Sequence, residues 1–344
     1  MDTNDQIDSF DELNDFEQIE NILNTDRRRE RYPARNPRRQ SKEMRAFVSV
    51  QDDSRHNFKF TYKAARFEEW WLLDSLGEFY EHKWISDVMS RVKGGKEASV
   101  YLCRSGSAAD APLLAAKVYR PRSLRNLKND AQYRVGRIDL DEDGHIIKDD
   151  RASRAVQKRT EYGEMLRHQS WISYEYQTLE LLREAGADIP APYAIAKNAI
   201  LMDYVGDVRS PAPTLNSQSL NTQEAKVLFE RVIRNIDLML RHDRIHGDLS
   251  AYNILYWEGR ITLIDFPQVV MARSNPTAWT LFLRDVTRVC QYFTLQGVDV
   301  DIRRLAAELW TSHGLKIGKE VHPRDLDADK AEDRRLWEKQ KDNK

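Results

Sequence analysis

The stretch RIHGDLSAYNILYWEGRITLIDF, residues 244–266, decides how this chain is read. It sets Asp248, Asn253 and Asp265 at spacings of five and then twelve, with apolar runs packed between them. Each of the three offers an oxygen to a metal ion, which a plain surface loop has no need to do. The run ILYWEGRITLI reads as a hairpin that returns the chain, so that Asp265 faces the loop carrying Asp248 and Asn253.

Upstream segments supply what such a loop could act on. VKGGKEASVYLCR (residues 92–104) is a glycine-bearing turn running into an alternating strand. PLLAAKVYR (residues 112–120) is a second apolar strand with one lysine, Lys117, in its middle. A lysine inside an apolar strand is costly unless it is paired. A nucleotide phosphate and a helix carboxylate would pair it. Glu175, in SWISYEYQTLELLREAGA (residues 170–187), is the carboxylate candidate, and its helix closes at Gly186. An ordinary exposed glutamate is the plain alternative. DIPAPYAIAKNAILMDYVG then gives a hairpin whose second strand leads through Met202, Asp203 and Val205 to Gly206. Its backbone could lie against a purine ring. Glycine turn, strand lysine, helix glutamate, apolar strand and HGDLSAYN followed by a strand-borne aspartate form the order of parts that phosphoryl transfer from a nucleotide uses.

Composition bounds the rest. At 344 residues the chain can bury a sizeable core in one large domain or two lobes. The net charge is -1, so no overall bias points to nucleic acid. Two cysteines, Cys103 and Cys290, make neither a disulfide framework nor a metal-spaced pair, which fits a reducing cytoplasm. The polar, acidic start is no signal peptide, and no apolar run approaches membrane-spanning length, so a soluble cytoplasmic protein is expected. Residues 1–55 pass from acidic to strongly basic (DRRRERYPARNPRRQSK) and are expected to form a mobile tail. It serves either as a passive leader or as an arm for RNA phosphates. Residues 56–90 read as a helical extension, with Phe67, Trp70, Trp71, Leu73 and Phe79 at helical spacing.

The segments GGKEASVY, AAKVYRP, YEYQTLELL, IPAP, ILMDYVG, IHGDLSAYNILY, LIDFPQVV and FLRDVTRVCQYF, in this order, resemble the RIO family of atypical serine/threonine protein kinases. HGDLxxxN alone is also similar to small-molecule kinases acting on antibiotics and choline, whereas GKEASVY together with IDFPQ is specific. The resemblance implies an α+β, bilobal protein-kinase-like fold. A small sheet lobe would span residues 91–205, with a charged insertion at about 121–168. A truncated helical lobe would span 206–318, and 319–344 would be a charged tail. The short leader is similar to the wingless, RIO one-type branch, while the proline of IDFPQ is similar to the winged one.

The resemblance further implies ATP and Mg2+ (or Mn2+) as cofactors. Lys117 would bind phosphate with Glu175 as its partner. Gly95, Lys96 and Ser99 would cradle phosphates, Val100 and Ala115 would roof the adenine, Met202 would stand behind it, and Asp203 to Val205 would form the hinge. Asp248 would be the catalytic aspartate and Asn253 and Asp265 the metal ligands. Asp265 is also the candidate acceptor of a transient aspartyl-phosphate. His246 and Asp285 would be structural. Three activities stay open: a protein kinase, an ATPase switch on pre-ribosomal particles or rRNA reached through the basic tail, and a small-molecule phosphotransferase. DLDEDGHIIKDD (residues 139–150) has the spacing of a calcium loop, but its last position lacks the bidentate glutamate, and a hairpin turning at Asp143-Gly144 is the favoured reading.

Overall fold

A computed structural model describes residues 58–95, 97–120 and 160–317. The expected tails at 1–55 and 319–344, Lys96, most of the charged insertion and the calcium-like segment at 139–150 lie outside the described residues. The chain forms two compact units, one from residues 1–126 and 193–202, the other from 127–192 and 203–344.

The first unit contains helix α1 (Arg66–Glu81) and strands β1 (Ile85–Lys93), β2 (Ala98–Ser105) and β3 (Leu113–Tyr119). Strands β4 (Pro192–Ala196) and β5 (Ala199–Asp203) complete a five-stranded sheet of order β1-β2-β3-β5-β4. β2 and β3 pair antiparallel without a register shift, Ser99 opposite Val118, Val100 opposite Lys117, Tyr101 opposite Ala116 and Leu102 opposite Ala115. Directly opposed residues share a face, so alternation sorts the sheet into two. Tyr101, Cys103, Leu114, Ala116, Val118, Ala199 and Leu201 pack into one core with Leu72, Leu76 and Phe79 of α1. Complete burial of the leucine, valine and phenylalanine side chains among them stabilises by roughly 1.5–3 kcal/mol each.

The predicted extension is therefore part of the sheet's own core. Trp71 Nε1 donates to Tyr119 O at 3.1 Å, and Tyr101 donates its hydroxyl to the buried Glu68 at 2.7 Å. Burial, with the Glu68 charge beside it, pushes the Tyr101 hydroxyl far above its ordinary value. It stays a donor throughout the physiological range.

The second unit holds α2 (Glu161–Glu184), α3 (Thr222–Arg241), the hairpin β6 (Ile254–Trp257) and β7 (Arg260–Leu263), α4 (Ala278–Leu295) and α5 (Ile302–Ser312). α2 starts at a cap where Thr160 Oγ1 accepts from Gly163 N. α3 starts where the Asn221 side chain accepts from Glu224 N and buries Ala225, Leu228, Val232, Ile236 and Met239, one stripe at helical spacing. Glu258 (φ 49°) and Gly259 (φ 75°) connect β6 to β7, and two successive positive φ values match the right-handed twist of the paired strands.

α2 falls in the second unit, with residues 127–192. Its binding partners explain why. Trp171 Nε1 donates to Pro267 O at 3.1 Å, and beyond the helix Asp188 N donates to the fully buried Asn235 of α3 at 2.7 Å.

Candidate active site

The residues singled out in the sequence divide between the two units. In the first, Val100, Ala115 and Lys117 lie on the sheet face opposite the α1 core, as the uninterrupted β2–β3 register dictates. Met202 follows the core residue Leu201 on β5 and so takes the same face as Lys117. Lys117 is 9% exposed, and its ammonium lies 5.5 Å from the centroid of the Tyr119 ring on the same face. Gly95 closes the turn before β2 so tightly that a Cβ there would stand 2.8 Å from Ala98 O. Ser99 is different. It is buried on the core face with Tyr101, so its hydroxyl does not share a face with Lys117.

In the second unit, Glu175 is buried on α2, against the alternative of an exposed helix glutamate. Asp203, the last residue of β5, is tied to Ala191 twice: its N–H donates to Ala191 O and its carboxylate accepts from Ala191 N, each at 2.9 Å. Val205 O accepts from Ala212 N at 2.9 Å.

The loop 246–253 is held at almost every residue. His246 accepts at Nδ1 from Asp248 N (3.3 Å), which assigns the ring proton to Nε2, where it is donated to Ile264 O at 3.0 Å. This imidazole therefore spans from the loop to the residue before Asp265 and works as a neutral brace. Gly247 has φ +82°, and a Cβ there would meet Gln268 O at 2.3 Å, so glycine is required both by conformation and by space. Its N–H donates to Asp285 Oδ2 at 2.8 Å, and its carbonyl accepts from Arg284 Nη2. Burial pushes the Asp285 carboxyl up to about 7, against the lowering pull of the Arg284 guanidinium and of the Gly247 N–H bond.

Asn253 donates its amide to Asp248 O at 2.9 Å, which leaves the amide oxygen as its metal-capable atom, and Asn253 O accepts from Ile264 N at 3.0 Å. The hairpin thus returns the chain until the Asp265 backbone adjoins Asn253. Asp265 is exposed with φ +70°, unusual for a residue with a side chain, and such strain persists where surrounding bonds over-determine it.

Among the described residues no group of three or more His, Cys, Asp or Glu side chains is arranged to hold a metal ion. Asn253 and Asp265 supply two hard oxygen donors, and that suits Mg2+, which takes few protein ligands and completes its shell with phosphate and water. A closed structural metal site is not what these residues form.

Three groups escaped the sequence reading. Arg284 and Arg288 bind the loop itself, the latter through Arg288 Nη1 to Asp248 Oδ1 at 2.8 Å, while Trp171 binds Pro267 O two residues beyond Asp265. The signal was present in FLRDVTRVCQYF, where arginines precede Asp285 by one and follow it by three, a spacing that puts all of them toward one side of a helix.

Residues 100–305 match the sequence model of the RIO domain. The chain is 28% identical over 210 residues to the RIO-type serine/threonine-protein kinase Rio1 of Haloferax volcanii, covering 61% of this chain and 64% of that one. It is 29% identical over 246 residues to the Methanocaldococcus jannaschii protein of the same name, covering 71% and 73%. Against the serine/threonine-protein kinase RIO1 of Caenorhabditis elegans identity is 28% over 216 residues, 62% of this chain and 38% of that one. The chain thus spans less than two thirds of the Haloferax and worm relatives. With more than half its length matched and a kinase-like α+β fold of two units, the chain belongs to the RIO domain family, whose Rio1-type members it resembles.

Proposed function

We propose that the chain transfers the γ-phosphoryl group of ATP, with Mg2+, to an acceptor oxygen, nominally that of a serine or threonine. The observation that supports this reading best is the tethered loop, in which Asp248, Asn253 and Asp265 are brought to fixed positions by His246, Gly247, Ile264 and α4. Phosphoryl transfer asks the protein mainly for positioning and electrostatics, and this loop is built for the first. Lys117, buried on its sheet face beside Val100 and Ala115, would pair with phosphate oxygens. Val205 N–H is a group able to meet a purine edge, since its carbonyl is already bonded to Ala212. Bound Mg2+ would neutralise developing phosphate charge, held by Asn253 Oδ1 and the Asp265 carboxylate. That the relatives are named serine/threonine-protein kinases supports this reading, and the two buried free cysteines favour a reducing, cytoplasmic setting. No helix among the described residues is long and apolar enough to cross a membrane.

A second reading is favoured by one specific feature. Residues 266–277 alone connect Asp265 to α4, and they are folded tightly, with Val270 bridged to Ile245 and Thr277 bonded to Asn275. So short a connection offers little surface for a peptide substrate. Asp265 itself would then attack Pγ, releasing ADP, and water would hydrolyse the acyl-phosphate to phosphate and free carboxylate. Such a cycle suits an ATPase switch acting on a pre-ribosomal particle or rRNA, with the basic tail as its arm. The distinguishing experiment traps protein labelled from γ-labelled ATP and treats it with hydroxylamine. Label lost to hydroxylamine and mapped to Asp265 supports the switch. Label that resists and maps to serine or threonine supports the plain kinase.

A further inference from the structure

Helix α4 grips the loop at three successive points. Arg284 binds Gly247 O, Asp285 binds Gly247 N at 2.8 Å, and Arg288 binds Asp248 Oδ1 at 2.8 Å. The first two hold backbone and are largely buried. Arg288 alone reaches the reactive carboxylate, in a pair whose side chains are 42% and 37% exposed. An ion pair as open to water as this adds little to stability, so stability does not account for it. The loop from Asp248 to Asn253, DLSAYN, carries no cation of its own. Among the described residues the cation paired with Asp248 comes from a helix forty positions later.

The other bonds at Asp248 fix only its backbone: N to His246 Nδ1, and O from Asn253 Nδ2. Without Arg288 its carboxylate would be free to rotate about the terminal torsion, which is broad for aspartate. A charge-assisted bond to Oδ1 stops that rotation and leaves Oδ2 as the oxygen turned to other partners. Resting on the phosphoryl-transfer reading above, we infer that Arg288 is a positioning residue that orients Asp248 so that Oδ2 takes the acceptor's proton. In that step the acceptor O–H proton passes to Oδ2 and the acceptor oxygen bonds to Pγ. The bond from Pγ to the bridging oxygen breaks, and ADP leaves.

The test measures ADP release from Mg-ATP by the full chain, comparing wild type, Arg288→Ala, Arg288→Lys, Asp248→Asn and the Arg288→Ala/Asp248→Asn double variant. Arg288→Ala is expected to lower kcat on the order of 10- to 100-fold while KM for ATP stays within about threefold, because orientation and not binding is lost. Arg288→Lys keeps the charge without the planar fork and recovers part of the rate. In the Asp248→Asn background, Arg288→Ala causes no further loss, since it acts through Asp248. Melting temperatures stay within about 2 °C of wild type. Arg288→Ala with wild-type kcat overturns the inference, and so does an equal fold loss in both backgrounds or a loss matched by a fall in melting temperature. Asp248→Asn with wild-type turnover overturns the functional reading and the inference together, whereas an inactive Asp248→Asn beside a fully active Arg288→Ala removes the inference alone.

Discussion

The Lys117 face of the sheet and the Asp248 loop solve the same problem by different means. On β2 and β3 no side chain needs a tether. An unbroken antiparallel register places Val100 opposite Lys117 and Leu102 opposite Ala115, and pleating does the rest. The loop has no such repeat. Its geometry depends on bonds from His246, Ile264, Arg284, Asp285 and Arg288, four of them remote in sequence from Asp248. A strand therefore tolerates change at neighbouring positions of its other face, while a tethered loop concentrates its sensitivity in a few distant contacts.

The largest effect is expected at Lys117. Lys117→Ala should keep the fold, because alanine suits a strand already containing Ala115 and Ala116, yet lose ATP turnover by at least ~100-fold, as removal of a transition-state charge commonly does. Circular dichroism and steady-state turnover check both halves, and turnover surviving within a few-fold would remove the lysine from its role. Gly247→Ala comes next and should hurt both turnover and stability. A Cβ at φ +82° and 2.3 Å from Gln268 O forces the loop to move, at a cost above about 2 kcal/mol, visible as a lower melting temperature.

Asp285 gives a pH signature. Burial raises its carboxyl to about 7 in the folded chain, against ~4 when unfolded. Between those values the folded chain holds a proton that the unfolded chain has lost. The contribution is therefore fully present below pH ~4 and is lost as pH rises toward 7. Asp285→Asn cannot ionise and should flatten this dependence in melting curves taken from pH 4 to 8. An unchanged slope would mean that the buried carboxyl does not titrate in that window.

The smallest effects are expected away from both regions. Ser99→Ala lies on the core face and should leave turnover within about threefold, since truncations that touch no reacting group cost little. A ~100-fold loss there would restore Ser99 to the phosphates. Deleting residues 1–55 should leave kcat unchanged while flattening the salt dependence of RNA binding, measured by titration at several salt concentrations.

What the sequence made legible follows the same division. The strands carrying Val100, Ala115 and Lys117 and the hairpin before Asp265 announce themselves through local period and spacing, whereas Asp285 stood out only through the resemblance of FLRDVTRVCQYF. At Ser99 two signals compete: proximity to the glycine turn points to the phosphates, while strand alternation buries the residue with Tyr101. The membership of α2 in the second unit and the grips of Arg284 and Arg288 were not legible. They arise from contacts between segments far apart in the chain, for which the sequence holds no local period, only a suggestive spacing around Asp285.

Whether the tethered loop is a phosphoryl-transfer centre is decided by single-turnover ADP formation from Mg-ATP, measured for the purified full chain and for Asp248→Asn at saturating nucleotide. The wild type is expected to form ADP and the variant to lose at least ~100-fold in rate, with ATP binding retained. Equal rates for the two proteins, or no ADP from the wild type while it binds ATP, would contradict it.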